Sequence, residues 1–206
     1  MTRPVVHQAA SLLLAYPDDD WPQRLETVRS AVAALPGPEI GLLLRFCRSV
    51  RDVPALTLAA RYVATFDRSR RRSLYLTYYT DGDTRRRGAS LARLKARYRA
   101  HGWQPAEDEL PDFLPLMLEF AARNAEDGTA LLVAHRPAIE VLGFALEAHR
   151  SPYTDIVRAV CRTLPGNAPA SREEAVSLAR TGPPAETVGL DAFPSPTSPH
   201  RLGTPQ

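Results

Sequence analysis

The chain has 206 residues, 44% of them hydrophobic and 24% charged, which is the composition of a globular protein and excludes disorder along its whole length. A net charge of +3 gives by itself no argument for nucleic acid. Cys47 and Cys161 lie far apart without C-x-x-C spacing, so they offer no disulfide framework and suit a reducing compartment.

Taken in order, residues 4–15 predict an amphipathic helix. His7 and Gln8 interrupt its apolar run, and Tyr16-Pro17-Asp18-Asp19-Asp20 follows where a signal peptide would place small residues. No apolar run approaches the ~20 residues of a membrane span, so the expectation is a cytoplasmic protein with no membrane insertion. Pro22, Pro38 and Pro54 precede or open helical stretches, where a missing N–H is tolerated. Leu56, Ala59, Tyr62, Val63 and Phe66 step by three and four and predict one apolar stripe. Residues 74–79 are the only β-prone run, and a lone strand has nothing to pair with.

Asp81-Gly82-Asp83-Thr84 reads as a turn and helix N-cap, without the oxygen positions of a calcium loop. The helix it opens carries Leu91, Leu94 and Tyr98 on one face and Arg85, Arg86 and Arg87 in its first turn. Asp112 is placed to cap a helix with Pro115 in its first turn. Pro137 makes residues 129–149 either two helices or one kinked helix. Residues 165–206 carry 8 of the 19 prolines, which predicts a mostly disordered tail. Within it, Ser171 to Arg180 suits a short helix, and Val188 to Phe193 suits either docking on a surface or an ordinary flexible tail. The expected architecture is therefore all-α, a single-domain helical bundle over 1–164 with a Pro-rich tail over 165–206.

Nucleotide-binding, hydrolase and zinc-peptidase motifs are absent, and the five histidines do not cluster with cysteines or carboxylates at ligand spacing. The expectation is a protein with no catalytic residues, no metal site and no permanently bound cofactor. The charges are sorted: residues 61–99 hold 12 basic and 3 acidic side chains, residues 107–147 hold 9 acidic and 2 basic. Arg85–Arg87 oppose the helix macrodipole, so they either pair with the acidic block or extend into water, or they receive an anionic group or an acidic partner. The acidic block is either a solvated face or a landing surface for a basic peptide.

Tyr62-Val63-Ala64-Thr65-Phe66-Asp67, Arg71-Arg72-Ser73-Leu74-Tyr75-Leu76-Thr77-Tyr78 and Gly82-Asp83-Thr84-Arg85-Arg86-Arg87-Gly88 closely resemble the respiratory nitrate reductase assembly chaperones. This is the delta-subunit, or NarJ, family of the wider TorD-like class. The resemblance continues through Lys95, Tyr98-Arg99, Gly102, Glu109-Leu110-Pro111-Asp112-Phe113-Leu114-Pro115 and Leu118-Glu119-Phe120, and includes Leu13-Leu14-Ala15-Tyr16-Pro17. It covers roughly residues 5–163 and leaves out the tail. It implies an all-helical cytoplasmic chaperone that binds the apo catalytic (alpha) subunit of nitrate reductase, through that subunit's N-terminal peptide. Such a chaperone keeps the subunit competent for molybdenum cofactor insertion, delays its membrane docking and is not part of the final enzyme; molybdenum cofactor delivery proteins are further possible partners.

A client peptide of this kind would fold as an amphipathic helix and lay its apolar face in a groove between helices. Tyr62, Phe66, Tyr75 and Tyr78 are candidate groove walls, although Tyr62 and Phe66, on the apolar stripe, suit plain core positions better. Asp112 and Glu119, near apolar Leu116 and Phe120, are candidates to meet the peptide's basic residues. Arg85, Arg86 and Arg87 are candidate contacts to an anion or partner. The rival reading is a helical nucleic-acid-binding protein using residues 61–99, whose tyrosines can stack on bases. Against it stand the absence of a helix-turn-helix signature and the adjacent acidic block, and no nucleic-acid partner is expected.

Overall fold

The computed structural model describes residues 2–105 and 109–181. The chain runs through α1 (Thr2–Leu14), α2 (Trp21–Val32), α3 (Pro38–Val50) and α4 (Ala55–Tyr62), which passes directly into a π-helical turn, Val63–Asp67. A 3-10 turn, Arg70–Arg72, leads to the short α5 (Thr77–Thr80) and the long α6 (Arg85–Ala100). There follow α7 (Leu114–Arg123), α8 (Ala125–Ala134), α9 (Arg136–Ala148), α10 (Thr154–Thr163) and α11 (Arg172–Thr181). The all-α architecture expected from the sequence is the one observed.

The core is built around α1, which packs against α7, α10 and α2, while α3 and α9 close on α10. Helix α1 buries Val6, Ala10, Leu13 and Leu14 completely. Helix α10 shows why such segments are helical: Ile156, Val157, Ala159 and Val160 fall on one buried face, and Arg158 and Arg162 point away from it. Prolines open α2, α3, α7 and α9, where the helix needs no N–H. At the α7–α8 junction Gly128 is required, since a Cβ there would lie 2.2 Å from the Ala121 Cα. Pro137 starts a new helix rather than kinking one, and α8 and α9 meet at 65° across His135. Among the described residues no single helix is long and apolar enough to cross a membrane.

Three local expectations are corrected. Leu56 is 85% exposed, and the buried stripe of α4 runs through Leu58 and Tyr62 instead. The β-prone run does find a partner: Leu76 N–H donates to the Asp112 carbonyl at 3.0 Å and Leu114 N–H to the Leu74 carbonyl at 2.8 Å. This makes one antiparallel bridge, Tyr75 to Phe113, before the chain turns into α5. Asp112 does not cap α7, whose N-cap position is Phe113; its carboxylate instead accepts the Thr77 N–H at the start of α5.

The short helix expected over Ser171 to Arg180 is α11, which packs on α9 and α5 and buries Ala175 and Ala179. Ser171 accepts the Glu174 N–H at 3.2 Å and the Glu174 carboxylate accepts the Ala170 N–H at 2.6 Å, a reciprocal cap that starts this helix. Arg136 adds a tie, donating to the carbonyls of Pro165 and Gly166 at 2.9 and 2.7 Å. The Val188–Phe193 segment lies outside the described residues.

Candidate functional site

A groove of about 640 Å³ opens where the π-helical turn, the Tyr75–Phe113 bridge and the start of α6 converge. Its floor is aromatic. Tyr62 and Phe66 lie 4.8 Å apart between ring centroids, and Tyr16 sets its edge on Tyr62 at 5.4 Å. Both floor residues are almost wholly buried and also contact Tyr153, so they serve the core and the groove at once. The Tyr62 hydroxyl donates to the Leu14 carbonyl at 3.0 Å, and burial pushes its ionisation far above the ordinary range. The π-helical turn brings Phe66 here: the Arg68 N–H reaches back five residues to the Val63 carbonyl, so the chain carries one residue more than an α-helical turn.

The groove walls come from the bridge. Tyr75 and Phe113 face each other at 5.3 Å. The Tyr75 hydroxyl donates to Glu109 Oε1 at 3.0 Å, and burial together with that carboxylate raises its pKa to about 12. It therefore stays protonated and holds Glu109 at the rim. Leu110, 37% exposed, adds apolar surface beside it, and Asp67 supplies a second carboxylate. Tyr78 stands beneath the Arg87 guanidinium, whose carbon is 4.0 Å from the ring centroid. Arg87 also donates to Thr77 Oγ1 at 2.9 Å and pairs with Asp112 at 3.4 Å.

The structure thus brings Tyr62, Phe66, Tyr75, Tyr78 and Arg87 to one groove and separates the rest. Asp112 is 0% exposed and committed to Thr77 and Arg87, so it presents no surface to a peptide. Phe120 is also 0% exposed, because it lies on the inner face of α7 under Tyr98, Trp103 and His101. Glu119 points elsewhere and pairs with Arg123 one turn on, at 2.8 Å. Leu116 packs against the core and does not line the groove. Arg85 and Arg86 are exposed, with no ion pair among the described residues. The three arginines therefore divide, one structural and two free.

Tyr16, Glu109, Leu110 and Phe113 were missed as site residues, although each lies inside a segment that carries the family resemblance. Elsewhere Arg97 holds Asp127 at 2.6 Å, so parts of the basic and acidic blocks pair directly. Burial raises both thiols, Cys47 to about 11, which keeps them protonated and poorly nucleophilic. No group of three potential metal ligands occurs among the described residues.

The family model for the nitrate reductase delta subunit matches residues 32–158. The chain is 44% identical over 160 residues to the nitrate reductase-like protein NarX of Mycobacterium tuberculosis, matching 77% of this chain and 24% of that protein. It thus spans about a quarter of the length of that relative. It is 33% identical over 164 residues to a Bacillus subtilis protein named "Probable nitrate reductase molybdenum cofactor assembly chaperone NarJ", covering 79% of this chain and 89% of the relative. It is 35% identical over 147 residues to the nitrate reductase molybdenum cofactor assembly chaperone NarJ of Escherichia coli, covering 69% and 62%. A crystal structure of a "putative redox enzyme maturation protein" from Archaeoglobus fulgidus shares the fold, with a TM-score of 0.61 at 23% identity over 79% of this chain and 93% of that one. With a family model spanning more than half its length and a relative 33% identical of which 89% is covered, the chain belongs to the nitrate reductase delta subunit family.

Proposed function

We propose that this chain is an assembly chaperone for a molybdenum-containing nitrate reductase and does no chemistry of its own. The names of the NarJ relatives support the client. The observation that carries the physical reading is the groove, an aromatic floor of Tyr62 and Phe66 with the Glu109 and Asp67 carboxylates at its rim. A segment that is both apolar and basic matches it. In this reading the occupant is the N-terminal peptide of the apo catalytic subunit, folded as an amphipathic helix. While the chaperone is bound, the cofactor pocket of the client stays open for loading and membrane docking is delayed. Encounter with cofactor delivery proteins follows in the same complex, in the cytoplasm where the apo subunit is made.

Apolar burial carries most of the affinity, and the carboxylates add orientation and a faster encounter. Ordering a short peptide opposes binding, so the affinity is moderate and release is built in. Calorimetry with a synthetic peptide of the client's first fifteen or so residues tests the reading. Saturable binding lost in Tyr75→Ala supports it. No heat and no competition at high micromolar peptide would sink it.

A further inference from the structure

A second concavity lies beside this groove. It holds about 730 Å³ between α11, α5 and the 3-10 turn, and four arginines line it: Arg70, Arg71, Arg172 and Arg180. Arg71, Arg172 and Arg180 have no carboxylate partner among the described residues. The one pairing is weak, with Arg70 3.9 Å from Asp83 and both side chains largely in water. Among the described residues Asp81 is the only acid in the lining. Four like charges around one concavity repel each other, and an anion in their midst relieves that repulsion.

The cleft is also not merely charged. Val141, Val176 and Ala179 give it an apolar floor, and the Tyr79 ring stands in its wall. The Tyr79 hydroxyl is spent inward, donating to the Ser73 carbonyl at 2.9 Å and to the Arg71 carbonyl at 3.2 Å. That contact fixes the backbone from which the Arg71 side chain projects. Its size falls in the range of small-molecule sites, roughly 300–1,000 Å³.

We propose that this cleft binds a small molecule bearing a phosphate or diphosphate group joined to an apolar or planar moiety. Guanidinium forks match phosphate oxygens in pairs. The apolar floor and the Tyr79 ring take the remainder of the ligand. The site is separate from the peptide groove, and among the described residues the two share only Arg70 and Tyr78. The proposal does not rest on the chaperone reading, and its test uses no client peptide.

The test is calorimetry on the full chain with inorganic pyrophosphate, inorganic phosphate and phenyl phosphate, at constant ionic strength set by chloride. Pyrophosphate is expected to bind one to one in the micromolar range, and phenyl phosphate several-fold more tightly than phosphate. Combined Arg71→Gln, Arg172→Gln and Arg180→Gln should weaken pyrophosphate at least tenfold. Arg93→Gln, on exposed α6 surface, should leave it unchanged. If the triple variant fails to fold, Arg71→Gln and Arg180→Gln singly should each lose threefold or more. Equal binding by parent and variants, or an equal loss in Arg93→Gln, overturns the proposal. So does binding of hexaglutamate without binding of pyrophosphate, which would assign the cleft to an acidic polypeptide.

Discussion

The Asp112 carboxylate accepts hydrogen bonds from both the N–H and the hydroxyl of Thr77, at 3.2 and 2.5 Å, across 35 positions of sequence. One buried acid thereby fixes the start of α5, the Tyr75–Phe113 bridge on its own strand segment and, through Arg87, the first turn of α6. Those three elements carry two walls of the aromatic groove. A residue that reads as a surface acid is thus the anchor behind the site.

Removing that anchor is expected to unfold the chain more easily. Asp112→Ala strands a nearly buried guanidinium and two donors, so a loss of about 3 kcal/mol is expected. Arg87→Gln should lose less, and Arg85→Gln combined with Arg86→Gln should change stability little. Urea denaturation of the three variants checks the order.

Phe120→Ala is expected to act on stability too. Its ring is packed against Tyr98 and Trp103, and truncating a buried phenylalanine costs about 3–5 kcal/mol. The variant should show a much lower thermal midpoint. At temperatures where it is still folded, its affinity for the client peptide should stay near that of the parent.

The salt dependence of peptide binding should trace to the groove rim. Glu109→Gln keeps the size of the side chain and removes its charge. It should weaken the client peptide several-fold at low salt and flatten the salt response. Glu119→Gln should leave both unchanged, because Glu119 is turned to Arg123. Calorimetry at two salt concentrations separates them.

The extent of the folded body can be measured by truncation. A chain ending at residue 164 lacks α11 and uncovers the α9 surface on which Ala175 and Ala179 pack. It should melt several degrees below a chain ending at residue 181. Equal midpoints would show that α11 contributes nothing to stability.

Acid should destabilise the fold through histidine. His7 is fully buried in α1, its Nε2 bonded to Thr163 Oγ1 at 2.8 Å, and burial lowers its pKa to about 4. His135 is lowered in the same direction, again by burial. The unfolded chain therefore binds protons first as pH falls below the ordinary histidine value. The contribution is complete above ~6.5 and is lost progressively down to about 4, by at most about 3 kcal/mol for His7. Urea midpoints at pH 7 and pH 5 should differ, and His7→Gln should reduce the difference.

Much of the fold was legible because helices announce themselves locally. The apolar spacing of α6, the prolines opening α2 and α3 and the interruption at Pro137 all depend on neighbours within a few residues. The misreadings came from contacts made at a distance. Residues 74–79 are β-prone, but their partner lies in a segment whose own pattern signals a helix start. Asp112 has a capping residue's chemistry, and only the tertiary fold shows which helix it serves. Among the residues that line the groove, Tyr62, Phe66, Tyr75 and Tyr78 were legible by type and spacing, and Tyr16 and Phe113 were not. Phe120 was misplaced because an apolar ring beside acids reads alike whether it faces a groove or the core. Glu109 is indistinguishable from its acidic neighbours until Tyr75 is seen to hold it.

The π-helical turn at Val63–Asp67 bears on how this chain is aligned with others. Such a turn is equivalent to one residue inserted into an α-helix. Deleting a single residue from it would restore α-helical winding and rotate everything downstream by about 100° relative to α4. Phe66 would then leave the groove floor, and Tyr75 and Tyr78 would start from a different angle. A relative one residue shorter in this stretch is therefore expected to lack this floor, however closely its flanking segments agree. A one-residue gap here, trivial in a percentage identity, marks a change of binding surface.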